Sequence, residues 1–97
     1  MAKLQLRILT SESVKVDEPV DMIIMRTLME DMGENSPYGE LGILPGHMPL
    51  SGILGETPLR IFNDEQERVI NLFGGVVTIK DDVVTMMTEK ALWPDEK

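Results

Sequence analysis

The chain has 97 residues, and its nine Lys or Arg against seventeen Asp or Glu give a net charge of −8 at neutral pH. This charge repels a phosphate backbone, and no basic cluster is interleaved with aromatic residues, so no nucleic acid binding is expected. The chain has no cysteine, which excludes a disulfide partner, a thiolate metal site and a cysteine nucleophile. The length predicts a single domain over residues 1–97.

The length of the uninterrupted apolar runs indicates whether the chain can span a membrane. They are only a few residues long, far below the roughly 20 residues that a membrane-spanning helix needs. The N-terminal residues alternate polar and apolar, without the basic head and apolar block of a signal peptide. We therefore expect no direct membrane insertion, and we expect any membrane association to go through a protein partner.

The first predicted elements are two strands. Residues 3–10 alternate apolar and polar side chains with a period of two, which is typical of a strand with one buried face. A second, short strand is predicted around Val14 and Val16. It is expected to end at Asp17-Glu18-Pro19, because proline cannot donate to a ladder.

The next segment, Val20 to Leu28, fits two patterns. Met22, Met25, Met29 and Met32 recur at helical spacing, whereas Ile23 and Ile24 fit a strand equally well. Periodicity alone does not decide between them. Residues 29–39 are polar and contain glycine and proline, which indicates a loop.

The second half of the chain is rich in β-branched residues. Strands are predicted at residues 57–63 and 68–73, joined by a polar tip at 65–67, and a bend or bulge is predicted at Gly74-Gly75. A hairpin is predicted from residues 76–79 and 83–87, turning at 80–82. Many short strands indicate an antiparallel β-sandwich or barrel of about ten strands.

Candidate chemical sites are few. His47 is the only histidine, no Gly-x-Ser-x-Gly elbow is present, and the histidine spacing of a zinc site is absent. His47 alone is therefore interpreted as a turn or surface residue that binds a backbone carbonyl. Gly39, Gly42 and Gly46 match neither a dinucleotide-binding nor a phosphate-loop spacing. The acidic stretch at 31–35 does not match a calcium loop. We predict no catalytic, cofactor or metal site.

The most informative stretch runs from Gly39 to Leu50, with the sequence GELGILPGHMPL. Its glycines and prolines stand at fixed spacings among apolar residues, which predicts a turn. The stretch resembles the signature of the epsilon subunit of F-type rotary ATP synthases. The resemblance extends to residues 4–10 upstream and to Gly55, residues 58–61 and residues 74–77 downstream, and so covers nearly the whole chain.

The resemblance implies a fold and a role. The fold is an all-β antiparallel sandwich, in which residues 20–27 form a strand. The role is that of a non-catalytic central-stalk subunit, which joins the gamma subunit to the membrane c-ring and supports coupling of ion or proton transport to ATP synthesis. It implies a peripheral membrane protein on the cytoplasmic face of a bacterial inner membrane.

The same resemblance suggests site residues. Glu40, Leu41 and Gly42 are expected to face the c-ring. The gamma subunit is expected to contact a sheet face and the residues His47, Met48 and Leu50.

The chain differs from the family pattern in two places, and other functions compete with the rotor role. Residues 29–39 form a longer loop than is usual in relatives. The chain stops at Lys97, where relatives enter a C-terminal pair of helices, so we expect it to couple without inhibiting ATP hydrolysis. The alternative functions are a free-standing β-rich adaptor or small-ligand-binding module and, third, a small hydrolase that uses His47.

Overall fold

A computed structural model describes residues 2–28, 38–47 and 49–96, with the backbone alone described at 26–28 and 38–41. Within these ranges the regular structure consists only of strands, which confirms the all-β prediction. The described residues form eight strands, some of them longer than the ten or so short strands expected. They are β1 (Leu4–Leu9), β2 (Val14–Val20), β3 (Met22–Leu28), β4 (Tyr38–Ile43), β5 (Leu50–Asn63), β6 (Gln66–Lys80), β7 (Val83–Met87) and β8 (Ala91–Leu92).

The strands are hydrogen-bonded in the order β2-β1-β7-β6-β5-β3-β4, and β8 pairs with β6. All pairs are antiparallel except β1 with β7, which is parallel. The sheet folds over a single apolar core as a β-sandwich. An ion pair between Arg68 of β6 and Glu18 of β2 joins strands that are not neighbours in this order. The core side chains include Leu4, Leu6, Ile8, Val20, Ile23, Met25, Ile43, Leu59, Ile61, Ile70, Ile79, Val84 and Met86.

Strands β5 and β6 have 14 and 15 residues, and both continue from one layer of the sandwich into the other. Midway along each strand, the buried side chains change from one face of the strand to the other. In β5 the buried residues Leu54 and Thr57 are three positions apart, and in β6 the buried residues Leu72 and Val77 are five apart. A flat strand buries residues at even separations. The pairing register is nevertheless the same on both sides of this point, so the two strands turn together.

Two glycines produce the turn in β6. Gly74 and Gly75 have φ angles of 85° and 134°, which lie in the region that favours glycine. The segment between β7 and β8 crosses β6 at this point. The Thr88 hydroxyl donates to the Gly74 carbonyl, and the Phe73 N–H donates to the Lys90 carbonyl at 3.0 Å. The predicted bend at Gly74-Gly75 is confirmed.

The two hairpin turns consist of acidic residues in the left-handed region. Asp64 and Glu65 connect β5 to β6 with φ values of 52° and 66°, and Asp81 and Asp82 connect β6 to β7 with 51° and 63°. Two successive residues of this kind form the turn that matches the twist of paired strands. The hairpin at 76–87 is confirmed. The predicted tip at 65–67 is wrong by about two residues, because Gln66 already pairs with Asn63.

Three other predicted boundaries are wrong. Strand β2 continues through Pro19 to Val20, and it can do so because it lies at the sheet edge, where a missing donor disrupts only one ladder. The stretch Gly39 to Leu50 is not one turn, since it contributes residues to β4 and to β5. Strand β5 starts at Leu50 and not at Thr57.

The segment with two possible patterns is a strand. Residues Met22–Leu28 form β3, so the helical spacing of the methionines does not indicate a helix there. Burial explains the pattern, because Ile23 and Met25 are fully buried in the core. The longer loop expected at 29–39 is strand at Tyr38 and Gly39, and the rest of it lies outside the described residues.

Candidate partner-binding surface

The connection between β4 and β5 is a tight turn. The His47 N–H donates to the Leu44 carbonyl at 3.1 Å, and Gly46 takes a φ of 87°. The Leu44 side chain is 55% exposed. The turn therefore presents an apolar side chain to solvent at one end of the sandwich.

This turn is held by the neighbouring hairpin. The Gly46 N–H donates to the Asp82 carboxylate at 2.7 Å, while the Asp82 carbonyl accepts from the Gln5 N–H at 2.8 Å. A single residue thus joins the β4–β5 turn, the β6–β7 hairpin and the start of β1. Hydrogen bonds to a charged acceptor are the stronger ones.

The residues expected to face a c-ring lie on β4, which is an edge strand. Glu40, Leu41 and Gly42 pair with β3 through their backbones. A Cβ added to Gly42 would meet nothing within 4 Å, so the outer side of this position is open. The side chains of Glu40 and Leu41 lie outside the described part of the structure.

The residues expected to face a gamma subunit lie near the turn. His47 is half-buried at its end, and Leu50 begins β5 with its side chain packed against the core. Met48 lies outside the described residues. Of this set, the structure therefore places His47 and Leu50 at the same end of the sandwich.

Among the described residues, an exposed row of apolar side chains was not predicted from the sequence. Ile53 of β5 pairs with Val76 of β6, which pairs with Met87 of β7. Met87 pairs with Leu9 of β1, which pairs with Val14 of β2. Ile53, Val76, Met87 and Val14 are 64%, 45%, 56% and 57% exposed, and Leu9 is half-buried. We call these five residues the apolar row.

The apolar row is one residue wide on each strand. It crosses four strand spacings, or about 19 Å. The neighbouring row on the same face lies two residues away on four strands and three residues away on β2, where the register shifts. It consists of polar side chains throughout, namely Ser51, Thr78, Thr85, Arg7 and Asp17. An exposed apolar line with a polar border is typical of a contact surface for another protein.

A groove of about 590 Å³ opens beside the row. Two members of the row, Leu9 and Met87, form its apolar part. The other lining residues are Thr10, Ser11, Gly75, Thr88 and Glu89. The groove thus combines an apolar floor with hydroxyl groups and one carboxylate.

The order of apolar and polar residues along single strands indicates part of the apolar row. In residues 76–79 and 83–87 both outward and inward positions include apolar residues, whereas a solvated strand face is polar. The strand pairing, which aligns these residues in one row, is not contained in any single segment. Sequence reasoning therefore did not find the row.

No group of three or more His, Asp or Glu that could hold a metal ion occurs in the described ranges. No helix long and apolar enough to cross a membrane is found in the same part of the chain.

The chain matches known proteins over most of its length. The family model described as "ATP synthase, Delta/Epsilon chain, beta-sandwich domain" matches residues 3–94. An ATP synthase epsilon chain of Caldicellulosiruptor bescii is 31% identical over 96 residues, or 99% of this chain and 64% of the relative. One of Alkalihalophilus pseudofirmus is 32% identical over 94 residues, or 97% of this chain and 64% of the relative. The chain thus spans just under two thirds of these relatives.

A solved structure supports the fold. A chain in the mitochondrial ATP synthase of Euglena gracilis superposes with a TM-score of 0.83 at 24% identity, over 100% of this chain and 57% of that chain. At this identity the likeness concerns the fold alone. The family model covers nearly the whole chain, and the chain belongs to the family of ATP synthase delta/epsilon β-sandwich domains.

Proposed function

We propose that this chain is the β-sandwich part of a non-catalytic central-stalk subunit in the rotor of a rotary ATP synthase. It joins the gamma subunit to the membrane c-ring, and in this way supports the coupling of ion translocation to ATP synthesis. It performs no bond-making step itself. It acts by holding two partners in a fixed rotational relationship.

The observation that carries the proposal is the apolar row. Leaving four large apolar side chains in water is unfavourable by roughly 25 cal/mol for each Å² that a partner would cover. A rigid sheet presents them at fixed spacing, so little conformational entropy is lost when a partner binds. The row therefore supplies the sheet face through which the gamma subunit binds.

The end of the sandwich beside this face completes the gamma surface. His47, Met48 and Leu50 follow the turn that Asp82 holds, and Leu50 begins the strand that carries Ile53. Glu40, Leu41 and Gly42 on edge strand β4 face the c-ring. The two contacts lie on different strands, as an adaptor between two partners requires.

The relatives support the same role. The two relatives described above are ATP synthase epsilon chains. The structure from Euglena gracilis contains F1 and a c-ring. We propose that the chain works as a peripheral component of such a membrane-associated complex, on the cytoplasmic face of a bacterial inner membrane.

Co-purification tests the proposal. The chain is mixed at micromolar concentration with the gamma subunit of the same organism, and the complex is isolated by size-exclusion chromatography. A stable complex of one chain with one gamma subunit is expected. A chain that remains separate from gamma, yet binds a small molecule in the groove, would instead support a free-standing ligand-binding module.

A further inference from the structure

We propose that the groove beside the apolar row receives one arginine or lysine side chain of the bound partner, with Glu89 as its counter-charge. This inference deepens the proposed function, since it names a specific anchor within the gamma surface. Its evidence is the lining of the groove, its charge and the hydrogen bonding of its polar groups.

The shape and lining of the groove fit a long basic side chain. Leu9 and Met87 provide the apolar floor, and Glu89 provides a carboxylate on the lining. Lysine and arginine have an aliphatic stem that packs on apolar surface and a charged head that stays polar. A purely apolar side chain would leave the carboxylate without a partner, and an acidic one would be repelled.

The hydrogen bonding of the groove-lining residues also favours a basic side chain. The Thr10 hydroxyl is engaged by Ser13 and Glu12, and the Thr88 hydroxyl donates to the Gly74 carbonyl. Among the described residues, neither the Ser11 hydroxyl nor the Glu89 carboxylate has a protein partner. The Glu89 carboxylate only accepts hydrogen bonds, and the Ser11 hydroxyl can accept as well as donate, so an ammonium or guanidinium group satisfies both.

Charge supports the same occupant. None of the groove-lining residues is basic. The nearest basic residue in sequence, Lys90, has its ammonium 5.7 Å from the centre of the Phe73 ring. Glu12, which follows Ser11, adds a second exposed carboxylate. With a net charge of −8 on the chain, the groove attracts a cationic side chain over a range set by salt.

Calorimetric titration of gamma with variants of the chain tests the inference. At about 50 mM salt, Glu89→Gln is expected to weaken binding by about threefold to fivefold and Glu89→Lys by at least about tenfold. Both losses should shrink at about 500 mM salt because the charges are screened. Glu65→Lys, at the exposed β5–β6 turn, is the matched control and should bind like the wild type in high salt and nearly so in low salt.

Two outcomes separate this inference from the proposed function. If Glu89→Lys binds gamma within twofold of the wild type while Met87→Asp does not bind, the basic anchor is wrong and the gamma surface stands. If the wild-type chain does not bind gamma at all, the proposed function fails and the anchor with it. Thermal melts of each variant confirm that the fold is intact.

Discussion

Gly75 lies directly against Met87. A Cβ added to Gly75 would come within 2.0 Å of the Met87 carbonyl oxygen, and the φ of 134° at Gly75 is one that other residues rarely adopt. The carbonyl oxygen and the φ angle both belong to the backbone, so rotation of a side chain cannot relieve the contact. The close approach of β6 to the β7–β8 connection requires glycine at this position.

The Gly75→Ala substitution is therefore expected to destabilise the fold by about 2–5 kcal/mol through strain and overpacking. Chemical unfolding followed by Trp93 fluorescence measures the loss. Gly55→Ala is the matched control, because a Cβ at Gly55 meets nothing within 4 Å. Equal stability of the two variants would show that the strands separate at this crossing without cost.

Replacing Ile53 or Met87 with Asp is expected to weaken binding to gamma by well over 1 kcal/mol, because a charge would be forced into a dry contact. Folding stability should change little, since both side chains are more than half exposed. Calorimetry gives the affinity. Gln66→Asp, at the exposed far end of β6 from Val76, is the control, and an equal effect there would mean that the row is not the contact.

Asp82→Ala is expected to release the turn that follows β4. The Gly46 N–H loses its acceptor, so protection of this amide from hydrogen exchange should fall by about fivefold or more. Asp81→Ala is a close control, because both residues have positive φ and only Asp82 binds Gly46. Unchanged protection of Gly46 in Asp82→Ala would contradict the role assigned to this carboxylate.

Glu96 links stability to pH. Its carboxylate accepts from the Lys15 ammonium at 2.6 Å and from the Trp93 N–H at 2.9 Å. These bonds, the Lys15 bond first, hold the pKa of Glu96 below its ordinary value of 4.5. A lowered folded pKa means that the unfolded chain binds the proton more readily. The stabilisation is therefore complete above about pH 4.5 and is lost as pH falls through the folded pKa.

In Glu96→Gln, the acid part of the stability curve should accordingly be flatter than in the wild type. Urea unfolding between pH 7 and pH 3, followed by Trp93 fluorescence, makes the comparison. Asp95→Asn removes the neighbouring exposed carboxylate, and it is the matched control because the Lys15 ammonium donates to Glu96. A variant at Glu96 with the wild-type slope would show that the Lys15 bond does not form in solution.

Glu40→Gln is expected to lower ion pumping per ATP hydrolysed by the assembled enzyme more than it lowers the melting temperature of the chain. A carboxylate on an edge strand contributes little to folding. Pumping and hydrolysis are measured on the same reconstituted vesicles. A lower melting temperature with unchanged pumping would assign Glu40 a local structural role.

The sequence predicted local patterns better than long-range ones. The alternation at Leu4–Leu9 and the turn residues at Asp81-Asp82 are encoded locally, and both predictions are confirmed. Proline and glycine are typical of strand ends and turns, yet Pro19 and Gly42 both lie within edge strands. Their position in the sheet order, which permits this, depends on residues far away in sequence.

The surface features also depend on strand pairing that single sequence segments do not determine. The approximate place of the turn around Pro45 and Gly46 could be predicted from these residues themselves. The apolar row could not, because it is defined by pairing across five strands and by the phase changes in β5 and β6. Residue types suggest which positions are apolar, but only the register determines which of them are adjacent.

The continuity of β5 and β6 through both layers has a mechanical consequence. Two layers that met only through side chains could slide over each other when a twisting load is applied to one of them. Here, sliding would require the backbone hydrogen bonds of one long ribbon to break near its middle. A twisting load applied to one layer is thus carried to the other by the main chain, so the domain resists shear between its layers.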